Sequence, residues 1–242
     1  MPTDCRTCLL RQRPCFHRMS ESEVAFMDRF KIDEIAVPPG GAIQLQGHPT
    51  GRLYTVLSGM GLRCVTLEDG RRQVVNFALP GDLIGLNSAL TGEARASAEA
   101  TTPMRLCVFD RHRLWGLFRD HPERAFALTW AAAQEEHFLG EALATLGQRT
   151  ATEAVAWALA VLDRRLRDLG MDSGGSVPLP YRQQDLADAL GLSLVHTNKT
   201  LAALRARGLA DWRGGRLTVP DREALETVAK APEAGSRVRP IL

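Results

Sequence analysis

In the first half of the chain, one stretch has apolar residues at helical spacing. The apolar residues after it lie in short runs of the length of a β-strand. Val24, Met27 and Phe30 have helical spacing, and Ser20 followed by Glu23 is typical of a capping box, so the sequence predicts a helix over 20–30. From residue 35 to residue 109 the runs are short and separated by turn residues. Many short strands at near-regular spacing predict a closed antiparallel roll or barrel. The runs lie at 42–45, 53–57, 62–67, 73–77 and 104–109.

The pattern becomes helical after residue 111. A run over 122–145 predicts one helix of about 24 residues and about 36 Å, which is longer than one small domain needs. Small residues at 131–133 and Gly140 leave room for the close approach of another helix. We favour a helix that pairs two subunits over one that packs only on its own barrel. Its large apolar residues are Phe126, Leu128, Trp130, Phe138, Leu139, Leu143 and Leu146.

The remaining segments are shorter. The sequence predicts a helix over 152–169 and a linker over 171–180, which contains Gly174-Gly175 and two prolines. The segment 209–219 reads as a two-strand wing. We expect the Gly, Pro and Arg-bearing segment 232–242 to be loosely held.

Residues 183–201 predict two short amphipathic helices joined by a turn at Gly191-Leu192-Ser193. Glycine suits a turn position that needs a positive φ. An apolar set then forms one buried face, while polar residues point outward at the start of the second helix. This layout is typical of a DNA-reading helix-turn-helix. The apolar set is Leu186, Leu190, Leu192, Val195 and Leu201, and the polar residues are His196, Thr197, Asn198 and Lys199.

Composition is that of an ordinary globular protein. The chain has 242 residues, 45% hydrophobic and 24% charged, with a net charge of +2, which allows two domains. Residues 181–242 hold 10 Lys+Arg and 7 Asp+Glu, a surplus of only 3, so the prediction of DNA binding depends on pattern and not on charge. No apolar run approaches the roughly 18–20 residues of a membrane span, and no secretion signal is visible. We therefore expect a cytoplasmic protein without a membrane partner.

Enzyme motifs are missing from the sequence. It has no phosphate loop, no G-x-S-x-G and no H-E-x-x-H, and Cys5-x-x-Cys8 lacks the βαβ context of a thiol oxidoreductase. We predict that the protein is not an enzyme. A ligand-binding module that has lost DNA binding is disfavoured by the intact turn and the basic wing residues Arg213 and Arg216.

The predicted fold is α+β, with an N-terminal antiparallel β-roll, a long dimerisation helix and a C-terminal winged helix-turn-helix. This combination resembles the CRP/FNR family of transcription regulators over nearly the whole chain. The resemblance implies a homodimer that reads a two-fold symmetric site in double-stranded DNA and works with RNA polymerase. It divides the chain into a cysteine-bearing sensor loop (1–19), a cyclic-nucleotide-binding-like β-roll (20–120), a dimerisation helix (121–147) and a DNA-binding domain (148–242). The matching segments are 57–59, 69–73, 80–85, 186–193 and 204–209.

The resemblance also implies which side chains read DNA. The matching positions in the recognition helix are Val195, Asn198 and Lys199, with His196 alongside, and the wing adds Arg213 and Arg216. Asparagine can pair with adenine, and lysine can reach guanine or a phosphate. Valine offers only an apolar contact, for instance to a thymine methyl group.

Three cysteines near the start have the spacing C-x2-C-x6-C, at Cys5, Cys8 and Cys15. The FNR branch has C-x2-C-x5-C and a fourth cysteine whose place corresponds to Cys107, which implies a [4Fe–4S] cluster on these four residues. Four thiolates also suit Zn²⁺. A thiol switch, with a disulfide between Cys5 and Cys8 or between Cys8 and Cys15, is a further alternative. Cys64, like Cys107 taken alone, fits buried packing on a strand.

The interior of the roll is the competing place for a sensor. The family's cyclic-nucleotide branch uses a Gly-Glu-Leu segment and an Arg-Ser or Arg-Thr pair, which correspond here to Gly81-Asp82-Leu83 and Arg95-Ala96-Ser97. In the Arg-Ser segment of this chain, Ala96 is inserted between the arginine and the serine. We therefore interpret Arg95 as a solvated loop residue and do not expect a cyclic nucleotide. A different small ligand in the roll remains open. His17 and His48 could serve a haem, but we interpret both as surface residues.

Overall fold

The computed structural model describes residues 3–231 and 238–242. The chain forms two compact units, the first comprising Met1–His137 with Val238–Leu242 and the second Phe138–Arg237. Among the described residues, no helix is both long enough and apolar enough to cross a membrane.

In its described residues, the first unit contains eight strands and the helices that pack around them. Its helices are α1 (Glu21–Phe30), α2 (Leu86–Thr91), α3 (Leu114–Asp120) and α4 (Pro122–Gln148), which continues into the second unit. Its strands are β1 (Lys31–Val37), β2 (Ala42–Gln44), β3 (Arg52–Ser58), β4 (Gly61–Thr66), β5 (Arg72–Ala78), β6 (Leu83–Ile84), β7 (Ser97–Ala100) and β8 (Met104–Asp110). Single turns of 3-10 helix lie at Cys5–Thr7, Leu10–Gln12 and Arg111–Arg113.

The start of α1 confirms the predicted capping box. The Glu23 amide donates to the Ser20 hydroxyl at 3.3 Å, and the Ser20 amide donates to the Glu23 carboxylate at 2.7 Å. These bonds satisfy amides that a helix start leaves without partners. The helix then buries Val24, Met27 and Phe30.

The β-roll consists of two four-stranded sheets with the strand orders β1-β8-β3-β6 and β2-β7-β4-β5. All the pairs are antiparallel, as the sequence predicts. Because side chains alternate along a strand, β8 faces two cores. Leu106 and Val108 belong to the interior core of the roll, whereas Cys107 and Phe109 belong to an outer core that α1, α3 and the start of α4 cover.

A glycine closes the turn between β3 and β4. Gly59 has φ +84°, and a Cβ atom there would lie 2.2 Å from the Pro103 carbonyl oxygen and 2.8 Å from the Met104 Cα. Gly70, in the next hairpin, has the same φ of +84° but nothing within 4 Å of the corresponding point. A substitution at Gly70 therefore tests backbone strain alone, whereas one at Gly59 tests the same strain together with a steric clash.

We expect Gly70→Ala to lower the free energy of unfolding by roughly 1–2 kcal/mol, since an L side chain at positive φ is strained. Gly59→Ala should lower it by roughly 3–5 kcal/mol, because the clash adds to the same strain. Urea unfolding of both variants measures the difference. Equal losses would show that the close approach of residues 103 and 104 relaxes freely.

The second unit contains helices and a small three-stranded sheet. Its elements after α4 are α5 (Ala151–Asp168), β9 (Ser176–Pro178), α6 (Gln183–Leu190), α7 (Leu194–Ala206), β10 (Asp211–Arg213), β11 (Arg216–Thr218) and α8 (Arg222–Ala229). The sheet order is β10-β11-β9. A second capping box, formed by Thr150 and Glu153, begins α5.

Two segments differ from the sequence-based expectation. The predicted linker 171–180 contains β9, in which Val177 pairs with Leu217 of the wing, so the prediction of a plain linker was wrong there. The prediction that segment 232–242 is loosely held was also wrong in part. Val238–Leu242 belongs to the first unit, with Ile241 and Leu242 buried, while residues 232–237 lie outside the described residues.

Candidate DNA-binding surface and cysteine site

The helix-turn-helix is built as the sequence predicts. Gly191 has φ 62°, and its amide and that of Leu192 both donate to the Ala187 carbonyl, which ends α6. Ser193 then caps α7, since its hydroxyl accepts the His196 amide at 3.2 Å. The bonds at this turn fix the angle between the two helices.

The first two turns of α7 expose a compact set of side chains. His196, Asn198 and Lys199 are exposed, as predicted. Val195 is 65% exposed, so placing it on the buried face was wrong, although exposure is what a base contact needs. Thr197 is fully buried and does not point outward as expected, because it lies on the face of α7 that packs inward. Leu194, which the sequence reading passed over, is also exposed.

Both predicted wing arginines are exposed, and both already have partners. The Arg213 guanidinium forms an ion pair with Asp211, which lies on the same strand. Arg216 donates to the Ser176 hydroxyl at 2.8 Å and to main-chain oxygens of Ser173 and Ser176 at 3.0 Å. Arg216 therefore ties the wing to β9, and its charge remains at the surface.

A further arginine at the start of α6 was missed. Arg182 is held by Asp185, with 2.8 Å between Nη2 and Oδ1, and its side chain is 68% exposed. The buried Asp185 carboxylate also accepts the Arg182 amide at 2.9 Å. An arginine three residues before an aspartate at a helix start was the available signal for this fixed cation.

Two of the cysteines share the outer core of the roll. Cys107 is 8% exposed and lies in that core, against which Cys5 also packs. Burial raises the pKa of Cys107, the Lys31 ammonium lowers it, and Cys5 and Cys8 add smaller contributions that raise it. The side chain of Cys107 thus faces the N-terminal segment and not the interior of the roll.

Burial dominates the protonation of these thiols. It raises the pKa of Cys5 to about 11 and that of Cys107 to about 12, against the lowering effect of the Lys31 ammonium. Both are therefore protonated thiols at neutral pH in the absence of a bound metal ion. A bound metal ion would supply the positive charge that deprotonation needs.

The other two cysteines, Cys15 and Cys64, have different contacts from Cys5, Cys8 and Cys107. Cys15 is buried, and its carbonyl accepts the Arg239 amide at 2.9 Å. Cys64 is buried on β4 in the other sheet, which agrees with its interpretation as strand packing. Within residues 3–231 and 238–242, no group of three or more Cys, His, Asp or Glu side chains is already arranged to hold a metal ion.

Residues considered for a ligand in the roll have other surroundings. Arg95 is exposed in a bend, as expected, and so are His17 and His48. The Asp82 carboxylate accepts the Leu79 amide at 2.9 Å and pairs with Arg239 at 3.1 Å. In this chain the acidic residue of the matching segment is therefore engaged by protein groups.

An apolar stripe lies along the last turns of α4. Leu139, Leu143 and Leu146 are spaced by four and three residues and are all exposed, Leu143 by 71%. Spacings of three and four place side chains on one helix face. Trp130, by contrast, is already half-buried within one chain.

Family models match both units. Residues 34–121 match the cyclic nucleotide-binding domain, and residues 153–228 match the Crp-like helix-turn-helix domain. The first match covers most of the roll, and the second covers α6, α7 and the wing.

Similar proteins are regulators. The nitrogen fixation regulation protein FixK of Bradyrhizobium diazoefficiens is 33% identical over 182 residues, 75% of this chain and 76% of the relative. The transcriptional activator protein FnrL of Cereibacter sphaeroides is 28% identical over 88% of this chain and 86% of the relative. The structure of FixK2 from Bradyrhizobium japonicum superposes with a TM-score of 0.74 at 28% identity, covering 84% of this chain and 98% of that one.

Proposed function

The chain belongs to the CRP/FNR family of DNA-binding transcription regulators, which are not enzymes, and from this premise we propose that it is a homodimer whose cysteine site senses oxygen or redox state. The observation that carries the sensing proposal is the position of Cys107. Its side chain lies on the outer face of β8, in contact with the core against which Cys5 packs.

The proposed DNA contacts come from the exposed start of α7. Asn198 and Lys199 would reach base edges or phosphates in the major groove, with Val195 and His196 beside them. The amides at the start of this helix favour a nearby phosphate. Arg213 and Arg216 would contact the backbone from the wing, where contacts position the protein without reading sequence.

The proposed dimer forms along α4. The exposed stripe of Leu139, Leu143 and Leu146 would be covered by the same stripe of a second copy, as an isologous interface requires. Pairing places two recognition helices on one two-fold symmetric site. The bound dimer would then act on transcription through RNA polymerase.

Four thiolates are proposed to hold a [4Fe–4S] cluster: Cys5, Cys8, Cys15 and Cys107. Thiolate donors suit this cluster, and when bound it supplies an oxygen-labile redox centre. Cys107 lies in the outer core, against which Cys5 packs. Cys15 lies seven residues after Cys8 on the same segment, and binding the cluster would require this segment to bring its side chain to the other three.

The outer core gives this site a direct connection to the proposed pairing helix. Ala125 and Leu128, in the first two turns of α4, belong to the same core as Cys107. A change in the packing of the N-terminal segment therefore reaches α4 through one layer of side chains. This contact would carry the state of the cysteines to the dimer.

We expect Cys107→Ser to lower the iron content of anaerobically prepared protein from about four atoms per chain to well below one. Cys64→Ser is the matched control, since it also replaces a buried strand cysteine and should keep the iron. Iron, sulfide and zinc analysis with an absorption spectrum before and after exposure to air makes the measurement.

Other metal contents would contradict the cluster. Zinc alone in the wild type would assign a structural or thiol-release site. No metal at all would favour a thiol switch or a ligand in the roll. Either result would leave DNA binding in place, and a gel shift at several salt concentrations tests that separately, because phosphate contacts make affinity fall steeply with salt.

A further inference from the structure

The segment Val238–Leu242, named here the return segment, lies along the N-terminal cysteine segment. The Arg239 amide donates to the Cys15 carbonyl, and the Arg239 carbonyl accepts the His17 amide, both at 2.9 Å. The two stretches form a parallel bridge between Phe16 and Arg239. Two main-chain hydrogen bonds around this isolated bridge hold the return segment against residues 15–17.

Arg239 also has a built receptor for its side chain. Its Nη1 lies 3.1 Å from the Asp82 carboxylate, and its Nη2 donates to the Pro80 carbonyl at 3.2 Å. The guanidinium stacks 4.9 Å from the centre of the buried Phe16 ring. Gly81 makes this fit possible, because a Cβ atom there would lie 2.2 Å from the Phe16 ring.

The last two residues of the return segment, Ile241 and Leu242, are both buried. Leu242 belongs to the outer core. The Thr55 hydroxyl donates to the Leu242 main-chain oxygen at 2.9 Å, and Arg124 of α4 donates to the Ile241 carbonyl at 3.0 Å. Arg124 is itself buried and pairs with Glu23 of α1 at 2.7 Å.

These contacts place the return segment between the proposed cysteine ligands and α4. At one end it bonds the backbone of Cys15. At the other, Leu242 shares the outer core with Cys107, and Thr55 is the cross-strand neighbour of Cys107. The docked position of the return segment therefore depends on contacts with three elements, which are the N-terminal segment, β8 and the first turn of α4.

We propose that the return segment is an internal ligand of the first unit, and that its docking is coupled to the order of the cysteine-bearing segment 5–17. Displacing segment 5–17 removes the partners of the Arg239 backbone and the ring beneath its guanidinium. By reciprocity, undocking the return segment loosens segment 5–17 by the same factor. The coupling needs only the contacts above and does not depend on which cofactor the cysteines hold.

The test is thiol labelling of the full chain in its metal-free, reduced form, resolved by residue with mass spectrometry. Arg239→Ala removes the ion pair and the ring contact, and we expect the labelling rates of Cys15 and Cys107 to rise about tenfold. Hydrogen exchange at the His17 amide should accelerate by a similar factor. Arg239→Lys, which keeps the charge without the planar fork, should fall between the wild type and Arg239→Ala.

Two internal controls accompany the variant. Val238→Ala changes an exposed residue of the same segment and should leave every rate unchanged. Cys64, on the other sheet, reports global opening and should keep its rate in Arg239→Ala. Unchanged labelling of Cys15 and unchanged exchange at His17 in Arg239→Ala would overturn the proposal.

A reciprocal variant keeps the proposal testable if Arg239→Ala opens the whole unit and accelerates Cys64 as well. Phe16→Leu removes the ring under the guanidinium but keeps an apolar side chain, and it should accelerate exchange at the Arg239 amide about threefold to tenfold. No change at that amide would show that the two segments are not coupled. Both tests use metal-free protein, so loss of the cluster proposal would not affect either result.

Discussion

Replacing Leu143 by glutamate is expected to convert the protein to a monomer and to lower its affinity for a two-fold symmetric DNA site by at least about a hundredfold. The side chain is 71% exposed in one chain, so the fold of that chain does not depend on it. In the proposed dimer, the new carboxylate would be buried without a partner, which costs several kcal/mol. Loss of pairing then removes the gain that two linked recognition helices provide. Sedimentation equilibrium and a gel shift measure the two effects.

Gln148→Glu is the matched control for this prediction. It adds the same charge to an exposed position in the last turn of α4, outside the spacing of three and four that relates Leu139, Leu143 and Leu146. We expect it to remain a dimer and to bind DNA as the wild type does. If Leu143→Glu sedimented as a dimer, the interface would have to lie on another surface.

Sequence reasoning located elements where local signals are strong. The capping box of Ser20 and Glu23 and the glycine turn at Gly191 each satisfy backbone groups within a few residues, so the signal and its cause are both local. Strand β1 was missed because it begins at Lys31, directly after α1 ends at Phe30, with no turn residue between them. The exposed Val195 and buried Thr197 could not be assigned, since polarity alone does not reveal which side of a helix packs inward.

The return segment shows the limit of composition as a guide. Glycine, proline and arginine predict a loose end, yet the fate of Arg239 is decided by Asp82 and Phe16, which are more than 150 residues away in the chain. Likewise, β9 is a strand because it pairs with β11. The glycines before it led to the prediction of a linker. The pattern of four cysteines was visible in the sequence. The sequence did not reveal on which face of β8 the Cys107 side chain lies. That follows from the register of β8 between β1 and β3.

The double variant Asn198→Ala with Lys199→Ala is expected to abolish specific DNA binding while leaving the fold intact. Both side chains are exposed, so their removal leaves no cavity. Loss of an asparagine–adenine pair costs about 1–3 kcal/mol at each half-site, or roughly thirtyfold to twenty-thousandfold for a dimer that reads two. If Lys199 contacts a phosphate, its loss should also reduce the salt slope by about one at each half-site. Titration of labelled operator at several salt concentrations measures both quantities.

The single variants divide the two contributions. Asn198→Ala should weaken the operator complex while leaving the salt slope and nonspecific binding nearly unchanged, since a base contact releases no counterion. Lys199→Ala should weaken operator and nonspecific complexes alike if the ammonium contacts phosphate, and the operator alone if it reads guanine. Arg207→Ala is the charge-matched control, because this exposed arginine follows the last turn of α7, far from the end that enters the groove. Wild-type affinity in the double variant would move the reading surface away from the start of α7, since no other exposed polar side chains occupy its first two turns apart from His196.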